Sequence, residues 1–134
     1  MKLLIGKETT KENILKEMKN SNWIHFACHS SEKGIELYDG ILNEKDFEEN
    51  PILNCSMIIL SGCESGLGEL KQEGVMGFYR SILMNGVKSI IVSIWKVHDC
   101  LTAILMQKFY HLKIENPNWN NSKILKNSQN YLKN

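Results

Sequence analysis

Short apolar runs alternate with polar, helix-like stretches along the chain of 134 residues. Residues 57–60 form a continuous apolar run, which is typical of a strand covered on both faces. The runs at 23–28 and 89–95 predict two more buried strands, and residues 3–5 form a shorter apolar run. An Asp-Gly pair at 39–40 between alternating flanks predicts a β-hairpin.

Apolar residues spaced three and four apart predict helices between these strands. Thr9 followed by Glu12 predicts a capping box for a helix that continues to about residue 19. The Asn85-Gly86 pair is typical of a helix end, because glycine tolerates the left-handed conformation found there. Further helices are predicted over 43–49, over about 73–84, from Asp99 and from Ser122.

The alternation of strands and helices predicts an α/β fold with a mainly parallel sheet and helices on both faces. In such sheets, binding sites lie beyond the carboxyl ends of the strands. His29, Cys63 and the segment 95–99 all follow predicted strands at that edge. We therefore expect the functional site there.

Composition narrows the class of protein. The composition is that of a globular domain, with an apolar fraction of 43% and a charged fraction of 23%. The net charge of +1 gives no basic surface of the kind that binds nucleic acid. No apolar run approaches the roughly 20 residues that span a bilayer, and residues 1–5 are too short for a signal peptide. We expect one cytoplasmic domain over 1–134 that binds neither membrane nor nucleic acid directly.

The four cysteines form no C-x-x-C pair, so a disulfide framework is not expected. We interpret Cys28, Cys55 and Cys100 as small buried apolar residues. Cys63 differs, because Gly62 precedes it and a glycine-rich turn follows. Backbone N–H groups in a turn of this kind favour a thiolate, which is the nucleophilic form of cysteine.

A thiolate nucleophile needs a base, and the chain has four histidines. His29 is the best candidate because it ends its strand. His25 lies four residues earlier, on the same face by strict alternation, and we expect it to be a core histidine. His98 follows a strand and could line the cleft, whereas His111 lies late in a helix, where a solvated role is expected.

Acyl transfer also requires donors for an oxyanion. The Cys63 amide is one candidate, with Gly62 beside it, and the backbone at Ser30 is another. A metal site built from Cys28-His29 and His98-x-Cys100 matches no common zinc spacing. A phosphate site at the glycines between 66 and 74 lacks the usual motifs. We therefore expect neither a metal nor an organic cofactor.

Four runs carry a family resemblance: His-Phe-Ala-Cys-His-Ser (25–30), Tyr-Asp-Gly-Ile-Leu (38–42), Leu-Ser-Gly-Cys-Glu-Ser-Gly-Leu-Gly (60–68) and Ile-Val-Ser-Ile-Trp-Lys-Val-His-Asp (91–99). In this order they resemble the motifs of CHAT-domain proteins, which belong with caspases, separases and gingipains in one clan of cysteine peptidases. The resemblance covers about residues 3–132. It implies a three-layer, caspase-like fold.

The resemblance also implies roles for individual residues. His29 matches the catalytic histidine, and Cys63 matches the nucleophile that forms a thioester during peptide-bond hydrolysis. Asp99 matches an acidic position that faces the residue before the cleaved bond in separase-like members. Ser93 and Trp95 lie in the same run, and we expect them to contact the substrate.

The chain departs from the family at three points. Ser30 stands where members often have glycine, and its side chain could crowd the oxyanion donor. Lys96 stands where proline is often found. The chain is also short for the family, and we expect the domain to be truncated at both ends.

The resemblance also implies partners and a setting. Members often act with, or are fused to, helical-repeat (TPR) domains, in bacterial defence or cell death. The resemblance thus leaves two functions open: a cysteine endopeptidase acting on a protein or peptide substrate, and a catalytically silent module that binds a helical-repeat partner.

Overall fold

The computed structural model describes residues 2–31, 33–63, 69–92 and 99–133, with side chains except at 31, 62–63, 69–75, 99–100 and 133. The chain divides into two compact units, Met1–Lys96 and Val97–Asn134. The elements of the first unit are a 3₁₀ helix Gly6–Glu8, α1 Lys11–Met18, β1 Trp23–Ser31, β2 Gly34–Leu37, β3 Gly40–Leu42, α2 Glu44–Glu49, β4 Met57–Cys63, α3 Glu69–Met84 and β5 Ile90–Val92. The second unit contains α4 Asp99–Glu115 and α5 Asn121–Lys133.

The first unit is built on a five-stranded sheet in the order β3-β2-β1-β4-β5. Strand β4 pairs in parallel with both β1 and β5, whereas β2 is antiparallel to both β1 and β3. The α/β class is therefore confirmed, but the sheet is mixed rather than mainly parallel. The reason is local, because Leu37 pairs with Gly40 and the short connection at 38–39 can join only antiparallel strands.

A cluster of buried side chains connects the sheet to the helices of the first unit. Phe26 on β1 and Leu60 on β4 belong to it, together with Met18 of α1. Phe47 of α2 meets Phe78 of α3 edge to face, with ring centroids 5.8 Å apart. The apolar side chains of β1 and β4 thus pack with those of α1–α3 into one core.

Most helix ends agree with the sequence to within one or two residues, but α3 begins at Glu69, about four residues before the predicted start at 73. The N-cap of α1 is Thr10, which accepts a hydrogen bond from the Asn13 amide, rather than the predicted Thr9. The predicted helix at 43–49 is confirmed and begins with a complete capping box at Asn43. Asn120 accepts from the Lys123 amide at 2.8 Å and so caps α5 in place of the predicted Ser122.

The second unit is a pair of helices in contact. Phe109 of α4 and Ile124 of α5 are fully buried. Three large apolar residues of these helices are exposed: Leu101, Ile104 and Tyr131. No helix within the described ranges is both long and apolar enough to cross a membrane.

Gly34 offers a sharp test of the hairpin. Its φ of +133° is one that side chains rarely adopt, and a Cβ there would lie 2.1 Å from the Leu42 carbonyl oxygen. We expect Gly34→Ala to lower the free energy of unfolding by at least about 2 kcal/mol in urea titrations. Gly77→Ala in α3 is the control, since a Cβ there meets nothing within 4 Å, and it should stabilise by about 0.5–1 kcal/mol. Equal effects of the two substitutions would contradict the hairpin geometry.

Candidate active site

The two strands that carry the predicted dyad are neighbours in the sheet. β1 and β4 run in parallel, with Phe26 opposite Leu60, His29 opposite Gly62 and Ser30 opposite Cys63. The backbone positions of the proposed base and nucleophile are therefore one step apart, at the carboxyl ends of adjacent strands. The residue opposite His29 is glycine, so β4 has no side chain at the position directly across from this histidine.

A register shift between Phe26 and His29 determines which residue of β1 pairs with Cys63 in the backbone ladder. Continued without the shift, the ladder would place His29 opposite Cys63. The additional residue in β1 moves His29 back by one place and sets Ser30 opposite Cys63 instead. Such β-bulges redirect side chains and occur often beside active sites. The shift also interrupts the alternation used to assign His25 and His29 to one face.

His25 does not lie in the core, so that prediction is wrong. The residue is exposed, and its Nε2 lies 2.8 Å from the Ser61 hydroxyl oxygen, two residues before Cys63. Although the residue is exposed overall, neighbouring atoms desolvate the ring enough to lower the pKa of His25 from its ordinary value of 6.5. His25 and Ser61 therefore form a polar cross-strand pair, which the sequence did not reveal because the contact depends on strand register.

Ser30 is buried, with only 3% of its surface exposed. Within the described part of the chain its hydroxyl has no hydrogen-bond partner. A buried polar group in this state costs about 1–3 kcal/mol. The sequence predicts an oxyanion donor in the Ser30 backbone that the serine side chain could crowd, whereas the burial of that side chain emerges only from the structure.

Two cysteines outside the candidate pair have the properties of structural residues. Cys55 is fully buried, and its thiol donates to the Met57 carbonyl at 3.3 Å. Burial raises the pKa of Cys55 and, together with the nearby Glu36 carboxylate, that of Cys28. Both thiols are therefore held in the protonated, unreactive form.

Several predicted site residues lie outside the described part of the chain. Ser93, Trp95 and His98 belong to this group. Asp99 is the first residue of α4, but its side chain is not described. Gly62 and Cys63 are described as part of β4, through their backbone only. The roles assigned to these side chains remain predictions.

A cavity of about 280 Å³ lies in the first unit. The segment 2–4 lines it, together with residues of α1, β1 and β2, among them Met18, His25 and Cys28. It had no signal in the sequence, because it depends on the separation of elements distant along the chain. Among the described residues, no group of three His, Cys, Asp or Glu side chains could hold a metal ion.

The buried hydroxyl of Ser30 leads to a stability prediction. We expect Ser30→Ala to raise the free energy of unfolding by about 1 kcal/mol, because it removes a buried hydroxyl without a described partner. Ser128 is the matched control, since it is also buried but donates to the Ile124 carbonyl at 2.8 Å. There the lost hydrogen bond offsets the gain in helix propensity, so Ser128→Ala should stay within about 0.5 kcal/mol of the wild type. A loss of stability for Ser30→Ala in urea titrations would show that the hydroxyl is satisfied.

Comparison with known proteins gives one match. No curated protein and no solved structure matches the chain. The family model described as the CHAT domain matches residues 1–132, which is essentially the whole sequence. The chain therefore belongs to the CHAT domain family.

Proposed function

We propose that this protein is a cysteine endopeptidase with a three-layer, caspase-like fold, in which Cys63 is the nucleophile and His29 is the acid and base. The CHAT domain is a caspase-like family related to cysteine peptidases. The observation that carries the proposal for this chain is the β1–β4 register, with His29 opposite Gly62 and the next residue opposite Cys63.

In this mechanism His29 removes the thiol proton of Cys63 as the sulfur attacks the scissile carbonyl carbon. The backbone amides around Ser30 and Cys63 donate hydrogen bonds to the oxyanion that forms. His29 then protonates the leaving amine, and a thioester to Cys63 remains. Water attacks the thioester, and His29 takes its proton and returns it to the departing sulfur. No metal or organic cofactor enters the reaction.

The proposal extends to substrate and partner. Ser93, Trp95 and Asp99 are proposed to contact the peptide substrate, with the Asp99 carboxylate favouring a basic residue before the cleaved bond. A helical-repeat protein or domain is proposed as the partner, and regulated proteolysis in the cytoplasm as the setting, in defence or cell death. The competing proposal is a catalytically silent interaction module, and the experiments below distinguish it from the peptidase.

The dyad can be tested by alkylation with iodoacetamide at pH 7, followed by peptide mapping of all four cysteines. We expect Cys63 to react fastest, because burial raises the pKa of Cys28 and Cys55 and keeps those thiols protonated. His29→Ala should slow the labelling of Cys63 at least tenfold and lower peptide hydrolysis by about 10²–10⁴-fold. His111→Ala is the control, because His111 is exposed on α4 and pairs with Glu115 at 3.0 Å.

Equally slow labelling of all four cysteines, with no peptide hydrolysis, would favour the silent module. Labelling of Cys63 that is fast in the wild type and unchanged in His29→Ala would remove His29 from the mechanism. Cys63→Ala should abolish hydrolysis whichever histidine acts.

Substrate preference gives a separate test of Asp99. Two fluorogenic peptides that differ only in arginine or alanine before the cleaved bond should differ in kcat/KM, with arginine preferred. Asp99→Asn should reduce kcat/KM for the arginine peptide about tenfold, since it removes the charge that attracts the guanidinium group. The alanine peptide is the control and should be cleaved at an unchanged rate. Equal rates for both peptides, unaffected by the substitution, would exclude this role.

A further inference from the structure

Strand β1 has one backbone edge that β2 covers only at its end. On the other edge, β4 pairs with β1 from Trp23 onward. Within the described residues, β2 pairs with β1 at Ser30 and Ser31 alone, and the rest of β2, Glu36 and Leu37, pairs with β3. The two strands therefore separate before Ser30, and a slot opens between them.

The cavity of about 280 Å³ lies in this slot. Its lining includes every residue from 23 to 28, although successive side chains of a strand point to opposite faces of a sheet. A cavity over one face would touch alternate residues, so this cavity runs along the backbone edge. Its other walls are α1, residues 2–4 and the pair Glu36 and Leu37, and none of its described lining residues belongs to β4. We call this space the β1 slot.

The edge of β1 along the slot lacks the features that usually protect a strand edge. Such edges commonly carry lysine, proline or inward-pointing charges, and residues 23–28 contain no lysine, arginine, carboxylate or proline. Outside the ladders, no backbone hydrogen bond of the described chain involves Ile24 or residues 26–28. The composition and the backbone of this edge are thus those of a strand that can accept another strand.

The walls of the β1 slot differ between the two faces of the sheet. On the core face the slot is lined by Ile14, Met18 and Phe26, which belong to or pack against the buried cluster. On the other face β1 presents Trp23 and Ala27, which are exposed. A strand in the slot would therefore direct alternate side chains to an apolar wall and to the outside, which favours alternating apolar and polar residues.

The charged groups of the lining favour a basic occupant. Glu17 and Glu36 contribute two carboxylates, and Lys2 contributes one ammonium group. The Glu36 carboxylate is near enough to Cys28, inside the slot, to raise the pKa of that thiol. Desolvation lowers the pKa of His25, so this imidazole is mainly neutral at pH 7 and does not offset the carboxylates. The lining therefore has an excess of negative charge.

We propose that the β1 slot binds an extended segment of a second protein, which adds to β1 as a strand, alternates apolar and polar side chains and carries lysine or arginine. Main-chain hydrogen bonds to the edge supply affinity, and the apolar wall supplies specificity. Residues 23–28 extend over about 17 Å, which corresponds to a segment of about six residues. Because the slot and β4 lie on opposite edges of β1, this segment is not the substrate of the proposed peptidase, and the inference does not depend on that activity.

The experiment measures the binding of two fluorescent peptides to the full chain by fluorescence anisotropy. The first, Lys-Val-Thr-Val-Thr-Val-Lys, alternates apolar and polar residues of high strand propensity. The second has the same sequence, but the backbone nitrogens of its central valine and the next threonine are methylated. This keeps the side chains and removes a donor at each edge of the peptide strand. We expect saturable binding of the first peptide and an affinity at least about tenfold lower for the second.

Two further measurements locate the bound peptide. The first peptide should slow hydrogen exchange at the amides of residues 26–28 and leave exchange in α5 unchanged. Glu36→Lys should lower the affinity for this peptide about fivefold, since it reverses a charge in the lining. Glu48→Lys is the matched control, because Glu48 is also exposed but lies on α2 and does not line the slot.

Four results would overturn the inference. The first is the absence of saturable binding up to about 1 mM peptide. The second is equal binding of the two peptides, and the third is slower exchange in α5 but not at residues 26–28. The fourth is strong protection of residues 26–28 without peptide, together with no peptide binding, which would mean that residues 3–5 already occupy the slot. Equal effects of Glu36→Lys and Glu48→Lys would overturn the preference for a basic segment.

Discussion

The pairing of β1 with β4 is the constraint on which the candidate site depends. β4 has four consecutive buried residues, 57–60, and it pairs on both sides, which fixes its position in the sheet. β1 follows it in regular register as far as Phe26 and then shifts by one residue before His29. This shift alone determines that a serine, rather than the histidine, stands opposite Cys63. The arrangement of the candidate site is therefore set by one additional residue in a strand as much as by the identity of the side chains.

Local patterns in the sequence predict most of the elements. The continuous apolar run at 57–60, the Asp-Gly pair at 39–40 and the helical pattern over 43–49 each extend over a few residues. The structure contains the strand, the hairpin and the helix that they predict. The mixed character of the sheet was missed because the prediction followed the βαβ units and not the hairpin, although the short loop between Leu37 and Gly40 already requires antiparallel strands. Helix ends were displaced because adjacent residues such as Thr9 and Thr10 compete for the same cap, and only the position of the first turn decides between them.

The candidate site shows the same division between local and non-local information. Residue type and the position at a strand end are sufficient to select His29 and Cys63 as candidates, since both are local properties. The exposed position of His25, its contact with Ser61 and the burial of Ser30 all follow from the register between strands about thirty residues apart in the sequence. A one-residue shift in a ladder leaves no signal in the apolar pattern of either strand. The sequence therefore identifies the residue types of the site but not the contacts between strands.

Ser30 shows how strand pairing can bury a polar side chain. It pairs with Ile35 of β2, which is fully buried in the same cluster as Phe26 and Leu60, so the serine side chain lies on the core face of the sheet. Its hydroxyl is buried there without a partner among the described residues, which costs stability. Glycine at this position would avoid that cost, although it would increase the conformational freedom of the unfolded chain. The register that brings the ends of β1 and β4 together therefore also places a polar group where the fold gains nothing from it.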